Sequence, residues 1–310
     1  MTDAPATDPA TAPVATIEKP RSQWRDVWDQ YITHRGALVG TFVFVFLIAA
    51  VFLGPLIWTL DPKYINIRMR EQGPSLAHPL GTDQLGRDML ARLMKGGQIT
   101  IFVGLAAMAL SIFLGTLVGV LAGYFRRLDN PLMRLTDLFL ALPLLPLLLL
   151  MVLLYRERLV MSFGPETGIF ILIVAAIAIT SWMNTARIVR GDVLAIKERE
   201  FVLASKSIGT PSGRMITRHI LPNVLSPIMV SATLGVANAV ITESALSFLG
   251  LGFPPDFPTW GRLLNDGMPY INLSPERVLW PALVLSALVL SVNYMGDGLR
   301  DALDPRIRGR

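Results

Sequence analysis

Long apolar runs alternate with short polar segments along this chain, and the runs are long enough to cross a membrane. A helix rises 1.5 Å per residue, so about 20 apolar residues cross ~30 Å of hydrocarbon. Six runs qualify, near residues 37–60, 98–125, 138–155, 168–186, 225–246 and 278–295. The second carries Gly104, Gly115, Gly119 and Gly123, spaced for close contact between helices. Pro143 and Pro146 interrupt the third, which predicts a kink or a broken helix. The pattern is that of an all-α membrane protein with six transmembrane helices. Its predicted divisions are a tail (1–36), a first span (37–60), a polar loop (61–97), a five-span core (98–298) and a C-terminal tail (299–310).

Within the first tail, residues 1–20 are rich in Ala, Pro and Thr and lack the apolar core of a signal peptide; they read as disordered. Trp24, Val27, Trp28, Tyr31 and Ile32 then recur at helical spacing among charges. Such a basic-aromatic helix is expected to lie in the headgroup layer.

Composition agrees with a lipid-facing surface. Of 310 residues, 52% are hydrophobic and 16% charged, below the ~25% charged share of a soluble domain. The net charge of +5 marks topology rather than nucleic-acid binding, because the basic residues sit between spans. With the N-terminus inside, 18 of the 28 Lys and Arg fall in inner segments. The bias places both termini in the cytoplasm of a cell-membrane protein. Six of the other ten lie in the 61–97 loop, which also holds Asp61, Glu71, Asp83 and Asp88 and is expected to fold on itself. No span has a charge near its middle, which argues against an ion- or proton-coupled carrier.

Residues 187–222 form a polar inner segment with seven Lys or Arg. Apolar positions from Asp192 to Ile208 predict a helix, and Gly209 predicts its stop. Thr210, Pro211 and Ser212 then turn the chain into a second short helix ending near Leu221-Pro222. The product is a helix-turn-helix whose corner carries the small residues Ala204, Ser205, Ser207 and Gly209, open to close approach by another protein.

This segment resembles the "EAA" motif of permease subunits in ATP-binding-cassette importers, E-A-A, three residues, G, nine residues, I-x-L-P. Ala204 takes the second position, Gly209 the glycine, and Leu221 and Pro222 follow it by 12 and 13 residues. Leu203, Ser205 and His219 depart from the motif. The strings REFVLASKSIG and RHILPN resemble the peptide-importer branch, as do His78–Asp88, Thr242–Gly252, Thr259-Trp260-Gly261 and Gly296–Arg306. The resemblance implies a type I importer permease fold whose corner is a coupling helix seated on a cytoplasmic ATPase. Glu200, Phe201, Ala204, Ser205, Ser207, Ile208, Gly209, Leu221 and Pro222 would make that contact. It also implies a second related permease, two ATPase subunits or domains, an extracytoplasmic solute-binding protein, and import of di- or oligopeptides by alternating access. Another solute, such as a nickel chelate, fits the same architecture.

No G-x-x-x-x-G-K-[ST] occurs, so ATP and magnesium are assigned to the partner ATPase and no cofactor to this chain. His34, His78 and His219 lie far apart in sequence, and no residues have metal-ligand spacing. No nucleophile elbow is present, so the subunit is read as non-catalytic. Polar residues in or near spans must face a helix or an aqueous cavity. Asn184, Ser231, Asn238, Glu243 and Asn293 are therefore candidates for the translocation path or gate, with Glu243 expected at an outer gate.

Overall fold

A computed structural model of the chain describes residues 23–303. The expectations for residues 1–22 and for Asp304, Pro305 and Arg306 lie outside them, as does the side chain of Trp24. The described residues are mainly helical, with eleven α-helices. These are α1 (Gln23–Thr33), α2 (Arg35–Ile57), α3 (Met89–Tyr124), α4 (Arg126–Ala141), α5 (Leu144–Phe163), α6 (Pro165–Ile196), α7 (Glu200–Ser207), α8 (Ser212–Met215), α9 (Leu225–Phe248), α10 (Trp260–Gly267) and α11 (Glu276–Leu303).

Helices α2, α3, α6, α9 and α11 are each long and apolar enough to span a membrane. The third apolar run is broken. At Leu142-Pro143 the chain turns by 90° between α4 and α5, and the two together make the sixth candidate span. Pro143 leaves the preceding residue in the extended region, which ends α4.

Several helices outrun the apolar stretches that announce them. α3 starts at Met89, nine residues before Gln98, because Asp88 caps it by accepting from the Ala91 N–H at 2.7 Å. α6 continues past Ala186 to Ile196, so the first ten residues of the 187–222 segment prolong a span. α11 reaches Leu303, so residues 299–303 are helix rather than tail. Hydrophobic pattern marks only the part of a helix that lies in hydrocarbon, and these helices carry their backbone hydrogen bonds on into polar surroundings.

The centre of the bundle is the parallel pair α3 and α6. A Cβ on Gly115, Gly119 or Gly123 would stand 2.7 Å from Thr185, from the Ala186 carbonyl or from Val193, respectively. Each four-residue step along α3 thus meets a matching step along α6, with no room for a side chain between the backbones. α9 crosses the other side of α3, where Gly104 faces Val240. α2 and α11 pack together at the periphery, with Gly40 of α2 against Ser291 and Tyr294. α1 lies on α11 and α2, buries Val27, leaves Trp28 and Ile32 exposed, and joins α2 through Tyr31 and Thr41 hydroxyls 2.6 Å apart. His34 caps α2, its Nδ1 accepting from the Ala37 N–H.

Two faces of α4 and α6 are pinned by charge. Arg190 donates twice to Asp129, at 2.5 and 2.7 Å, and Arg187 donates to Asp137 at 2.5 Å. The broken third span is thereby fixed to the extension of α6 that leads into α7.

Candidate functional site

The corner around α7 sits at the end of the bundle where α3 and α6 finish and α9 begins. A buried cluster of Val120, Val189, Val193, Val202, Met215, Ile220, Val224 and Ile228 holds it there. Val202 and Ser205 point into this cluster. On the opposite face of the same short helix, Phe201, Ala204 and Ile208 are exposed, Ile208 at 84%. Their spacing of three and four residues aligns them on one face. An apolar stripe bared at the polar end of a bundle is unusual for a surface without a partner.

The expected single helix over 192–208 is two helices. α6 ends at Ile196, Lys197 reaches the Gly123 carbonyl at 3.2 Å, and Arg199 takes an extended conformation before α7 starts at Glu200. The break turns α7 away from the span, so that its exposed face looks outward. Gly209 follows with φ +80°, the left-handed geometry that glycine adopts without strain, and a Cβ there would meet nothing within 4 Å. The chain returns through α8, a π turn (Ile216–Ile220) and a 3₁₀ turn (Leu221–Asn223) directly into α9.

The assigned coupling residues therefore divide by position. Glu200, Phe201, Ala204, Ser207, Ile208, Gly209 and Pro222 are exposed, whereas Ser205 is buried and Leu221 half-buried against the cluster. Ser205 faces inward because its hydroxyl lies 2.9 Å from that of Thr210 and 3.3 Å from His219 Nε2. Two of the three departures from the motif thus touch each other.

The candidate path residues also separate. Asn184 and Asn238 are exposed on α6 and α9, and Ser231 lies one helical period of seven residues from Asn238. The Ser231 hydroxyl is 2.9 Å from that of Thr185, next to Asn184, so these three share the α6–α9 boundary. Asn293 stands apart on α11, half-buried. Glu243 is fully buried and lines no opening. It accepts from Ser247 Oγ at 2.6 Å, with Ser244, Thr100 and Thr259 hydroxyls also directed at it. Glu243, expected at an outer gate, is here enclosed in a polar clasp among α9, α3 and the start of α10.

Sequence reasoning missed what surrounds this clasp. Thr100 Oγ1 accepts from the Trp260 N–H, and the Trp260 indole donates to the Leu93 carbonyl at 2.9 Å. Gly261 lets α10 lie directly on the Ser244 backbone. Nearby, Asp83 accepts from Arg87 Nε at 2.7 Å and from Arg92 at 2.5 Å, and Arg92 reaches Asp266 on α10 at 3.2 Å. Burial raises the Asp83 carboxyl, but the Arg92 and Arg87 guanidiniums and the Arg87 N–H overcome it and hold Asp83 below the usual carboxylate value. The 61–97 loop does fold on itself: Thr82 bridges to the 69–72 turn, and Gly86 adopts φ +73° with its α-carbon pressed to the Asn66 carbonyl. Charged pairs at this spacing were the signal available.

Comparisons with known proteins complete the picture. The family model described as "Binding-protein-dependent transport system inner membrane component" matches residues 111–309. A second, "N-terminal TM domain of oligopeptide transport permease C", matches residues 22–74. The oligopeptide transport system permease protein OppC of Bacillus subtilis is 38% identical over 97% of this chain and 97% of its own length. The dipeptide transport permease DppC of the same organism is 39% identical over 94% of this chain and 89% of its own. The glutathione transport permease GsiD of Pectobacterium atrosepticum is 34% identical over 96% of each. Among solved structures, an inward-facing MetNI methionine ABC transporter chain superposes with a TM-score of 0.56, at 20% identity, over 70% of this chain and 98% of its own, a likeness of fold.

Proposed function

The chain belongs to the family of binding-protein-dependent transport system inner membrane components, and from that premise we propose that it is a transmembrane subunit of an ATP-driven importer of di- and oligopeptides. The relatives that align along nearly its whole length are named for peptide, dipeptide and glutathione transport. The observation that supports the mechanism most directly is the bared apolar face of α7. Phe201, Ala204 and Ile208 would seat in a cleft of a cytoplasmic ATPase, with Gly209 keeping the corner narrow.

On this reading both termini are cytoplasmic, and α7 is a coupling helix. It is joined to α6 by three residues and to α9 through the turn at Gly209, α8 and the π and 3₁₀ turns. Movement of the ATPase pair would therefore reach the two helices that carry Asn184, Ser231 and Asn238. Those polar groups would line the path shared with a second permease, and an extracytoplasmic solute-binding protein would deliver the peptide at the far end. ATP and magnesium would act in the ATPase subunits or domains, and this chain would supply no chemistry.

Gly209 offers the test. Its Cβ position is empty within this chain, so beyond the backbone strain that any side chain bears at φ +80°, which an asparagine control measures, a bulky residue there would meet only the partner. Gly209→Asn, which tolerates positive φ, is expected to retain most transport. Gly209→Trp is expected to insert in the membrane yet lose both peptide uptake and substrate-stimulated ATPase activity. If uptake and stimulation survive Gly209→Trp, the docking assignment is wrong.

A further inference from the structure

The face of α3 turned away from α9 lines a groove of about 480 Å³. Lys95, Ile99, Phe102 and Ala106 form its floor at intervals of three and four residues, and Glu166 and Phe170 of α6 with Phe253 form its wall. Gly104, which receives α9, is two residues from Phe102, about 200° around the helix. The groove therefore opens away from the helix that bears Asn238. It opens beside α2 instead, where Phe52 stands edge-on to Phe102 with centroids 5.4 Å apart. α2 exposes Phe42, Phe46, Leu53, Leu56 and Ile57, the surface of a helix in contact with lipid.

Shape and charge then limit the occupant. From Lys95 to Ala106 the helix rises about 16 Å, close to the ~15 Å depth of one leaflet's hydrocarbon. The charges stand at the mouth, Lys95 on α3 and Glu166 on the first turn of α6, with Gln98 and Thr167 next to them, and the lining beyond these is apolar. Neither side chain enters an ion pair among the described residues. Lys95 donates only to Gln98, at 3.3 Å. One cation and one anion above an apolar channel of leaflet depth match a headgroup that carries a phosphate and an ammonium on a long acyl chain.

We propose that this groove binds one zwitterionic aminophospholipid, its phosphate on Lys95, its ammonium on Glu166 and an acyl chain along Ile99, Phe102 and Ala106. With both termini cytoplasmic, as proposed above, the groove lies in the outer leaflet; the headgroup selectivity does not depend on that sidedness. The test uses the full-length chain purified with its partner subunits and incubated with equal amounts of phosphatidylethanolamine and phosphatidylglycerol. Retained lipid is counted per permease by native mass spectrometry. Phosphatidylethanolamine is expected to be retained roughly fivefold over phosphatidylglycerol, the factor that about one charge contact at a membrane surface supplies. Glu166→Gln, which removes the partner of the ammonium, is expected to abolish that preference; Lys95→Gln, which removes the partner of the phosphate common to both lipids, and Ala106→Trp, which fills the channel, are each expected to reduce retention of both lipids. Equal retention of the two lipids by the native protein, an unchanged preference in Glu166→Gln, or undiminished retention in Lys95→Gln overturns the proposal. So does displacement of the lipid by millimolar dipeptide, or efficient cross-linking of Phe102→Cys to a second permease, since either puts another occupant in the groove.

Discussion

Ser205 and His219 stand where the importer motif carries alanine and isoleucine, and in this protein their side chains meet. In place of the apolar contact that the motif's residues would make, the corner between α7 and the π turn holds a hydrogen-bonded one that also engages Thr210. The replacement has a consequence for single substitutions. Removing Ser205 Oγ leaves His219 and Thr210 short of a partner inside a half-buried corner, and a typical intramolecular hydrogen bond contributes about 1 kcal/mol. Converting both residues removes donor and acceptor together. Ser205→Ala and His219→Ile are each expected to destabilise the purified complex by about 1 kcal/mol, and the double variant by clearly less than their sum. Thermal unfolding of the four proteins reads this coupling. Strict additivity would show that the 3.3 Å contact carries no energy.

At the scale of elements, the α3–α6 pair decides how closely the bundle can close. Gly119 is the middle of its three tight steps, with a Cβ position 2.7 Å from the Ala186 carbonyl and 2.8 Å from Val189 Cβ. Neither neighbour can retreat, because one is backbone and the other a β-branched side chain on the same rigid helix. Gly119→Ala is therefore expected to cost about 1–3 kcal/mol despite alanine's better helix propensity. The same substitution at Gly191, whose Cβ position is open, is expected to be neutral or mildly stabilising. A melting comparison of the two variants checks it. This interface was legible in sequence, since Gly115, Gly119 and Gly123 at four-residue spacing in an apolar run predict close packing, whereas Gly104 of the same run turned out to meet α9. The six spans and the break at Pro143 were legible for the same reason: apolar length and proline chemistry are local properties. The split of 192–208 into α6 and α7 was not. Nothing local at Lys197–Arg199 breaks a helix, and the turn is fixed by distant contacts, Lys197 with Gly123 and Val202 with the buried cluster. The enclosure of Glu243 escaped for a related reason. Its partners Thr100 and Thr259 lie far away in sequence, and a glutamate near a span end reads equally as a gate or a clasp.

Across the whole molecule, the two ends are built differently. The end that carries α7 bares an apolar face and joins α6 and α9 through short, irregular connections. At the far end, segments around residues 83, 243 and 260 converge into buried polar contacts that lock the 61–88 loop, α3, α9 and α10 to one another. A permease that rocks needs one end to be driven and the other to move as a unit, and the Asp83–Arg92 pair sits at the centre of that unit, with both groups almost wholly buried. Removing one partner of such a pair strands the other charge, at a cost of about 3–5 kcal/mol. The dependence on pH follows from the sign of the shift. The Asp83 carboxyl lies below its ordinary value of 3.8 when folded, so its contribution is fully present above 3.8 and is lost as pH falls through the lower folded value. Hydrogen exchange of residues 66–88, corrected for intrinsic rate, is expected to show protection that holds at pH 5 and collapses only below 3.8. Asp83→Asn is expected to lose that protection already at pH 5, because Arg92 then has only Asp266 to face. Protection in Asp83→Asn equal to that of the native protein would mean that the Trp260 and Glu243 contacts alone hold the far end together.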